Sequence, residues 1–400
     1  MTKRMLTLTA TLAAALVGAI ALGGCTATEP VPSASGSASS SPSETPSPTP
    51  DDPLAGLSLE QKVGQLFIVG TGAGETGAAA LDAVTTRHAG GVFLHGRSQA
   101  GAQATAAIVA PFTAAAAPGG IPLWVAADQE GGEVQTLSGP GFDTIPYGLT
   151  QASRQPAALQ DEATRWSRQL AAAGVNLNLA PVADIVTDPH SMFENAPVGA
   201  LQREYGFDQQ TVATMAGAFA NGMRASGVLP TFKHFPGLGR VTRNTDTSAN
   251  VHDTVIAADA PDIAVYRDLL AGGPALAMVS SAIYDRIDGS VPAVFSPTVV
   301  GLLRSQVGFG GVIITDDVSS AAAVKGWAPA DRAVLALQAG VDVVLVSSDP
   351  GVFPAMYDAV LAKAQSDPAF AAVVDAAARR VVEQKKAFPA AASPSPAPTP

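Results

Sequence analysis

Short apolar runs recur along most of the chain, separated by longer Ala-rich stretches of helical character. The runs are Val63–Val69, Gly91–Leu94, Leu123–Ala127, Val175–Ala180, Val228–Phe232, Ala275–Val279, Gly311–Ile314 and Val341–Val346. Each is continuously apolar rather than alternating, the pattern of a parallel strand covered on both faces, and the gaps leave room for a helical crossover. Eight such units within residues 54–388 predict an α/β fold, a single (β/α)8 TIM-type barrel, in preference to an open doubly wound sheet. Polar or Gly-rich clusters close nearly every run: Asp128-Gln129-Glu130-Gly131-Gly132 after the third, Lys233-His234-Phe235-Pro236-Gly237 after the fifth, Thr315-Asp316-Asp317 after the seventh. In a barrel these ends share one rim, where active sites of this fold lie, so charges distant in sequence are expected to converge on one pocket.

Outside this region the pattern changes. Lys3 and Arg4 precede the apolar run Leu6–Leu22, which is too short and too quickly followed by polar residues for a stable span, so residues 1–24 read as a signal peptide. Leu22-Gly23-Gly24-Cys25 resembles a bacterial lipobox, whose cysteine becomes the lipid-modified first residue of the mature protein. Cys25 is therefore the expected lipidation site, and the outer face of the cell membrane the expected location. It is the single cysteine, which excludes a disulfide within the chain. Residues 25–53, rich in Ser, Pro and Thr, read as a flexible tether, and residues 389–400 as a disordered Pro/Ala tail. A formal charge of −11 leaves no basic patch for nucleic acid or an anionic membrane surface, so the lipid is the one expected membrane contact. A monomer is expected.

Asp316 follows the buried run Gly311–Ile314 and Thr315, which would hold its carboxylate at the barrel mouth on a rigid element, as a nucleophile requires. Asp317 would face the other way. The pair could equally cap the next helix, since Asp is a good N-cap. Lys233 and His234 close a strand just before the Pro236-Gly237 turn and could donate to sugar hydroxyls. A surface lysine and a satisfied buried histidine are the plainer alternatives, and Asp128 and Glu130 pose the same choice. The five histidines, His88, His95, His190, His234 and His252, lack metal-ligand spacing, so neither metal nor organic cofactor is expected.

Taken together, Lys233-His234-Phe235-Pro236-Gly237, Asp128-Gln129-Glu130-Gly131-Gly132, Ala180-Pro181-Val182-Ala183-Asp184 and Ile314-Thr315-Asp316-Asp317 resemble the signature segments of glycoside hydrolase family 3, in the family's order. Leu57–Gln65 and Ala339-Gly340-Val341-Asp342 fit as well, extending the resemblance over residues 55–387. The Phe-Pro-Gly form and the lack of a second domain resemble the single-domain β-N-acetylglucosaminidase branch, called NagZ-type. The resemblance implies Asp316 as nucleophile and Asp128, Arg203, Lys233 and His234 as sugar-binding residues.

That branch carries an Asp-Ser-His segment whose histidine is the general acid/base, and here the chain departs. Without a gap these positions fall on Asn244, Thr245 and Asp246, which makes Asp246 the second carboxylate of a retaining pair. A gapped alignment puts Ser248 at the histidine position, and His252 is the other titratable group nearby. Asp246 as a mere loop-stabilising residue stays open. A histidine usual after the sixth strand is replaced by Val279-Ser280-Ser281, and Leu238 and Arg240 depart from the usual His-rich loop. The expectation is a retaining exo-β-glycosidase, a β-N-acetylhexosaminidase trimming N-acetylglucosamine from cell-wall-derived glycans. A catalytically weakened sugar-binding lipoprotein, a β-glycosidase of other specificity and a two-lobed solute receptor are the alternatives.

Overall fold

The computed structural model describes residues 52–388; the expected signal peptide, Cys25, the tether up to Asp51 and the tail lie outside the described residues. Eight strands form one parallel sheet: β1 Phe67–Gly72, β2 Gly91–His95, β3 Trp124–Ala127, β4 Leu177–Asn178, β5 Leu229–Phe235, β6 Leu276–Val279, β7 Ile313–Thr315 and β8 Val344–Val346. Neighbours in sequence are neighbours in the sheet from β1 to β7, and β8 pairs with β1. A parallel bridge between Ile314 and Val343 joins β7 to the approach of β8 and draws the ring together as a (β/α)8 barrel. The strands are buried along almost their whole length, which is why they read as unbroken apolar runs.

Helix α1 Leu59–Gln65 precedes β1. Crossovers are made by α2 Ala78–Arg87, α3 Ala102–Ala116, α4 Pro156–Ala172, α5 Gln209–Arg224, α6 Pro261–Leu270, α7 Pro297–Ser305 and α8 Pro329–Ala339, and α9 Phe353–Ser366 and α10 Pro368–Ala387 close the chain. In α4 the buried positions are Leu159, Ala163, Trp166, Ser167 and Leu170, one helical stripe. That stripe meets α5 at Gly222, where a Cβ would come within 2.5 Å of the Ala163 Cβ and 2.6 Å of the Gln160 carbonyl oxygen. Only a glycine admits this approach.

Several strands are shorter or shifted relative to the apolar runs, and two of these differences have clear local causes. The first apolar run is split: Leu59–Gln65 is helical because Ser58 and Gln61 form a capping box, Ser58 Oγ accepting from Gln61 N at 3.3 Å and Gln61 Oε1 from Ser58 N at 2.9 Å. The fifth strand runs on through Lys233 and His234, since Lys233 O still accepts from Ala183 N and Phe235 O from Ser280 N at 2.8 Å. Its register with β6 slips between Phe232, opposite Ala277, and Phe235, opposite Val279, a bulge that re-aims the side chains inside it.

The base of the barrel is closed by α10. Lys385 is buried there, its Nζ donating to Gly90 O at 2.6 Å and Gln65 Oε1 at 2.7 Å and lying 4.8 Å from the Trp124 ring centroid. The chain enters at the same end, with Asp52 accepting from Arg379 at 2.8 Å and Pro53 O from Lys386 at 3.3 Å. Among the described residues, no helix is long and apolar enough to cross a membrane.

Candidate active site

At the opposite end, the strand C-termini surround a cavity of roughly 400 Å3. Its lining includes Asp128, Arg203, Lys233, His234, Asp246 and Asp316, drawn from β5 and from loops, up to 188 residues apart in sequence. Ser248 and His252 are absent from that lining; His252 instead bonds Asp285 at 2.7 Å on the surface. The geometry therefore favours the ungapped alignment, with Asp246 as the group that reaches the cavity.

Lys233 is the hub. Its ammonium is almost fully buried and contacts Asp128 Oδ1 and Glu130 Oε1, each at 2.6 Å. Glu130 in turn takes a two-pronged bond from Arg203, Nε to Oε2 at 2.9 Å and Nη2 to Oε1 at 2.8 Å. Burial alone would raise the Glu130 pKa, but Arg203 and Lys233 outweigh it and hold the carboxyl at about 2. Burial would likewise lower the Lys233 pKa, and Asp128 and Glu130 reverse the sign. Glu130, Arg203 and Lys233 are thus charged at neutral pH, and their geometry is fixed by mutual neutralisation.

Asp184 sets the other wall. It is wholly buried and accepts three bonds, from His234 Nδ1 at 2.8 Å, His234 N at 3.1 Å and Leu238 N at 2.8 Å. A carboxylate only accepts, so His234 Nδ1 carries a proton, and Nε2 lies 3.5 Å from Arg203 Nη2. Replacing Asp184 with alanine strands two buried backbone N–H groups and frees the ring, so we expect a loss of roughly 3 kcal/mol or more in urea unfolding. Asp184→Asn, which keeps an acceptor, is expected to lose less.

Asp316 stands just past β7 and is partly exposed to the cavity, with its Oδ1 accepting from Asp317 N at 2.8 Å. Burial pushes its pKa up to about 6; the neighbouring His234, the Asp317 N–H and Lys233 oppose this, and the Asp246 carboxylate adds to it. Asp317 turns to structural work, accepting from Ser319 N at 2.9 Å, Ser319 Oγ at 2.6 Å and Ser347 N at 3.0 Å. Asp246 rides on a docked loop: its N–H donates to Asn244 Oδ1 at 2.8 Å, and its carbonyl accepts from Ala322 N at 3.0 Å. Its carboxylate makes no hydrogen bond among the described residues, so the backbone stabilises the loop and the side chain is left for the cavity.

Four further participants had no definite role assigned from the sequence. Asp184 lies in a recognisable segment but far from the His234 it orients, Glu130 could not be told from Asp128 as the partner of Lys233, and His95 with Ser348, bonded at 3.2 Å, forms part of the rim. The departures are also explained: Leu238 lines the cavity, Arg240 turns away to Asp262 at 3.3 Å, and Ser280 bonds Tyr284 Oη at 2.7 Å beneath it. Among the described residues, no group of three or more His, Cys, Asp or Glu side chains is placed to hold a metal ion.

Carboxylates gathered on one polar cavity at the mouth of a parallel barrel are an arrangement that hydrolases of glycosidic bonds use. The chain belongs to glycosyl hydrolase family 3: residues 58–384 match the glycosyl hydrolase family 3 N terminal domain. It is 33% identical over 298 residues to the β-hexosaminidase LpqI of Mycobacterium tuberculosis, covering 72% of this chain and 73% of that protein. The solved β-N-acetylhexosaminidase of Beutenbergia cavernae is 55% identical, superposes with a TM-score of 0.81 and covers 82% of this chain and 99% of its own. A family 3 β-N-acetylglucosaminidase from Paenibacillus superposes with a TM-score of 0.76 at 30% identity, covering 86% and 65%.

Proposed function

We propose that this glycoside hydrolase is a retaining exo-β-N-acetylhexosaminidase in which Asp316 attacks the anomeric carbon and Asp246 is the acid/base. The observation that carries the proposal is the pair Asp316 and Asp246 on one cavity, with the second carboxylate unclaimed by any structural bond. Attack forms a glycosyl-aspartate as Asp246 protonates the departing oxygen; Asp246 then takes a proton from water, which displaces Asp316 with net retention. Lys233 has a third N–H to spare, Asp128 Oδ2 is open, and Arg203 and His234 complete a ring of polar groups suited to sugar hydroxyls. The N-acetyl preference is supported by the named activities of the relatives.

The acid limb of kcat/KM is expected near pH 6. Below that value Asp316 is protonated and cannot attack, so activity falls tenfold per pH unit. A profile flat down to pH 4 would remove Asp316 as the ionised nucleophile. Incubation with 4-nitrophenyl β-glycosides tests the specificity: release is expected from the N-acetylglucosaminide well above the glucoside. Silence on every glycoside with retained sugar binding would favour the binding-lipoprotein alternative.

Residues 54–388 are the proposed catalytic unit, a monomer, carried on a lipid at Cys25 by the 25–53 tether beyond the cell membrane.

A further inference from the structure

Among the described residues, two large apolar side chains stand exposed, and one is aromatic: Phe193, at 65%. A ring of that size is normally driven into the core, and one left in solvent offers a flat apolar face to a ligand that reaches it. Its surroundings are built, not loose. Phe193 sits in the short turn Met192–Glu194 after β4, rooted by the buried Met192 and held at its start by Asp188, which accepts from His190 N at 2.8 Å, Ser191 N at 3.1 Å and Ser191 Oγ at 2.6 Å.

Two residues on, Asn195 locks this turn to the loop that leads to Asp246. Its Nδ2 donates to Leu238 O at 2.7 Å and Val241 O at 2.6 Å, while its Oδ1 accepts from Gly199 N at 2.7 Å. The same segment reaches the cavity through Pro197 and Leu201 and ends at Arg203, whose Nη1 donates to Pro197 O at 2.7 Å. Phe193 thus lies outside the cavity lining itself, on the segment that enters the wall at Pro197 and Leu201 and is bonded through Asn195 to the loop that leads to Asp246.

We infer that Phe193 is the platform on which a sugar ring of the leaving group stacks, making it a specificity residue for oligosaccharides over simple glycosides. The C–H face of a β-linked pyranose is apolar and flat enough to lie on a phenyl ring, and a side chain with two torsions loses little freedom in receiving it. The inference rests on Asp246 as acid/base, which defines the leaving-group side.

The test compares kcat/KM on the β-1,4-linked trisaccharide of N-acetylglucosamine with kcat/KM on methyl β-N-acetylglucosaminide, whose leaving group has no ring. In Phe193→Ala and Phe193→Leu this ratio is expected to fall about five- to tenfold, and Phe193→Tyr is expected to restore it. A ratio that stays at the parent value in Phe193→Ala, or that Phe193→Leu preserves, overturns the assignment. Absence of turnover of both substrates by the unsubstituted protein overturns the enzymatic proposal itself, an outcome distinct from an unchanged ratio.

Discussion

Asp316→Asn is expected to abolish hydrolysis of every glycoside the protein turns over, with kcat falling on the order of 10^4-fold or more. That loss is about 5.4 kcal/mol of transition-state stabilisation. It follows from the role: an amide of the same shape fills the same place past β7 but cannot form the glycosyl ester. The fold should survive and even gain. The Asp316 pKa is raised to about 6, so between the unfolded value near 4 and pH 6 the folded state binds the extra proton and stability falls as pH rises. The penalty of a buried charge is fully present above pH 6. Asp316→Asn should therefore melt higher than the parent above pH 6, with the difference vanishing as the pH is lowered toward 4. An inactive variant that also melts lower would point to a structural role.

Asp246→Asn is expected to fall in a way that depends on the leaving group. A nitrophenolate departs without help, whereas a sugar alkoxide needs a proton, so kcat/KM should drop modestly on the aryl glycoside and about 10^3-fold on the trisaccharide. Water activation is lost for both, which makes hydrolysis of the glycosyl-enzyme slow. Added azide, a nucleophile that needs no base, should speed turnover of the aryl substrate and yield the β-glycosyl azide. An equal loss on all substrates without azide rescue would remove Asp246 from proton transfer.

The barrel was legible because parallel strands buried on both faces leave unbroken apolar runs, and the rim because nearly every run ended in a polar or Gly-rich cluster. The misplaced boundaries have local causes. Val63 and Leu66 are as apolar as any strand residue, yet Ser58 and Gln61 cap a helix there, and the capping box was present in the sequence. The extension of β5 through Lys233 and His234 depends on a register slip against β6, which no periodicity in one strand can report. Candidate residues were found by type and place at the rim, but partner choice was not. Glu130 is distinguished from Asp128 only by the Arg203 fork, formed across 73 residues, and Asp184 by a histidine 50 residues away. Which of Asp246, Ser248 and His252 reaches the cavity turned on how the loop docks against Ala322 and Ala323, a long-range contact.

The central claim is a covalent sugar on Asp316. With Asp246→Asn the second step is slow, so brief mixing with the 4-nitrophenyl N-acetylglucosaminide should accumulate the intermediate, and the intact mass should rise by one N-acetylglucosamine residue. Peptide mapping after an acid quench should place that mass on Asp316, and the added sugar should be absent from the Asp316→Asn, Asp246→Asn double variant. A sugar carried on another residue, or turnover with no adduct and inversion at the anomeric carbon, would contradict the account.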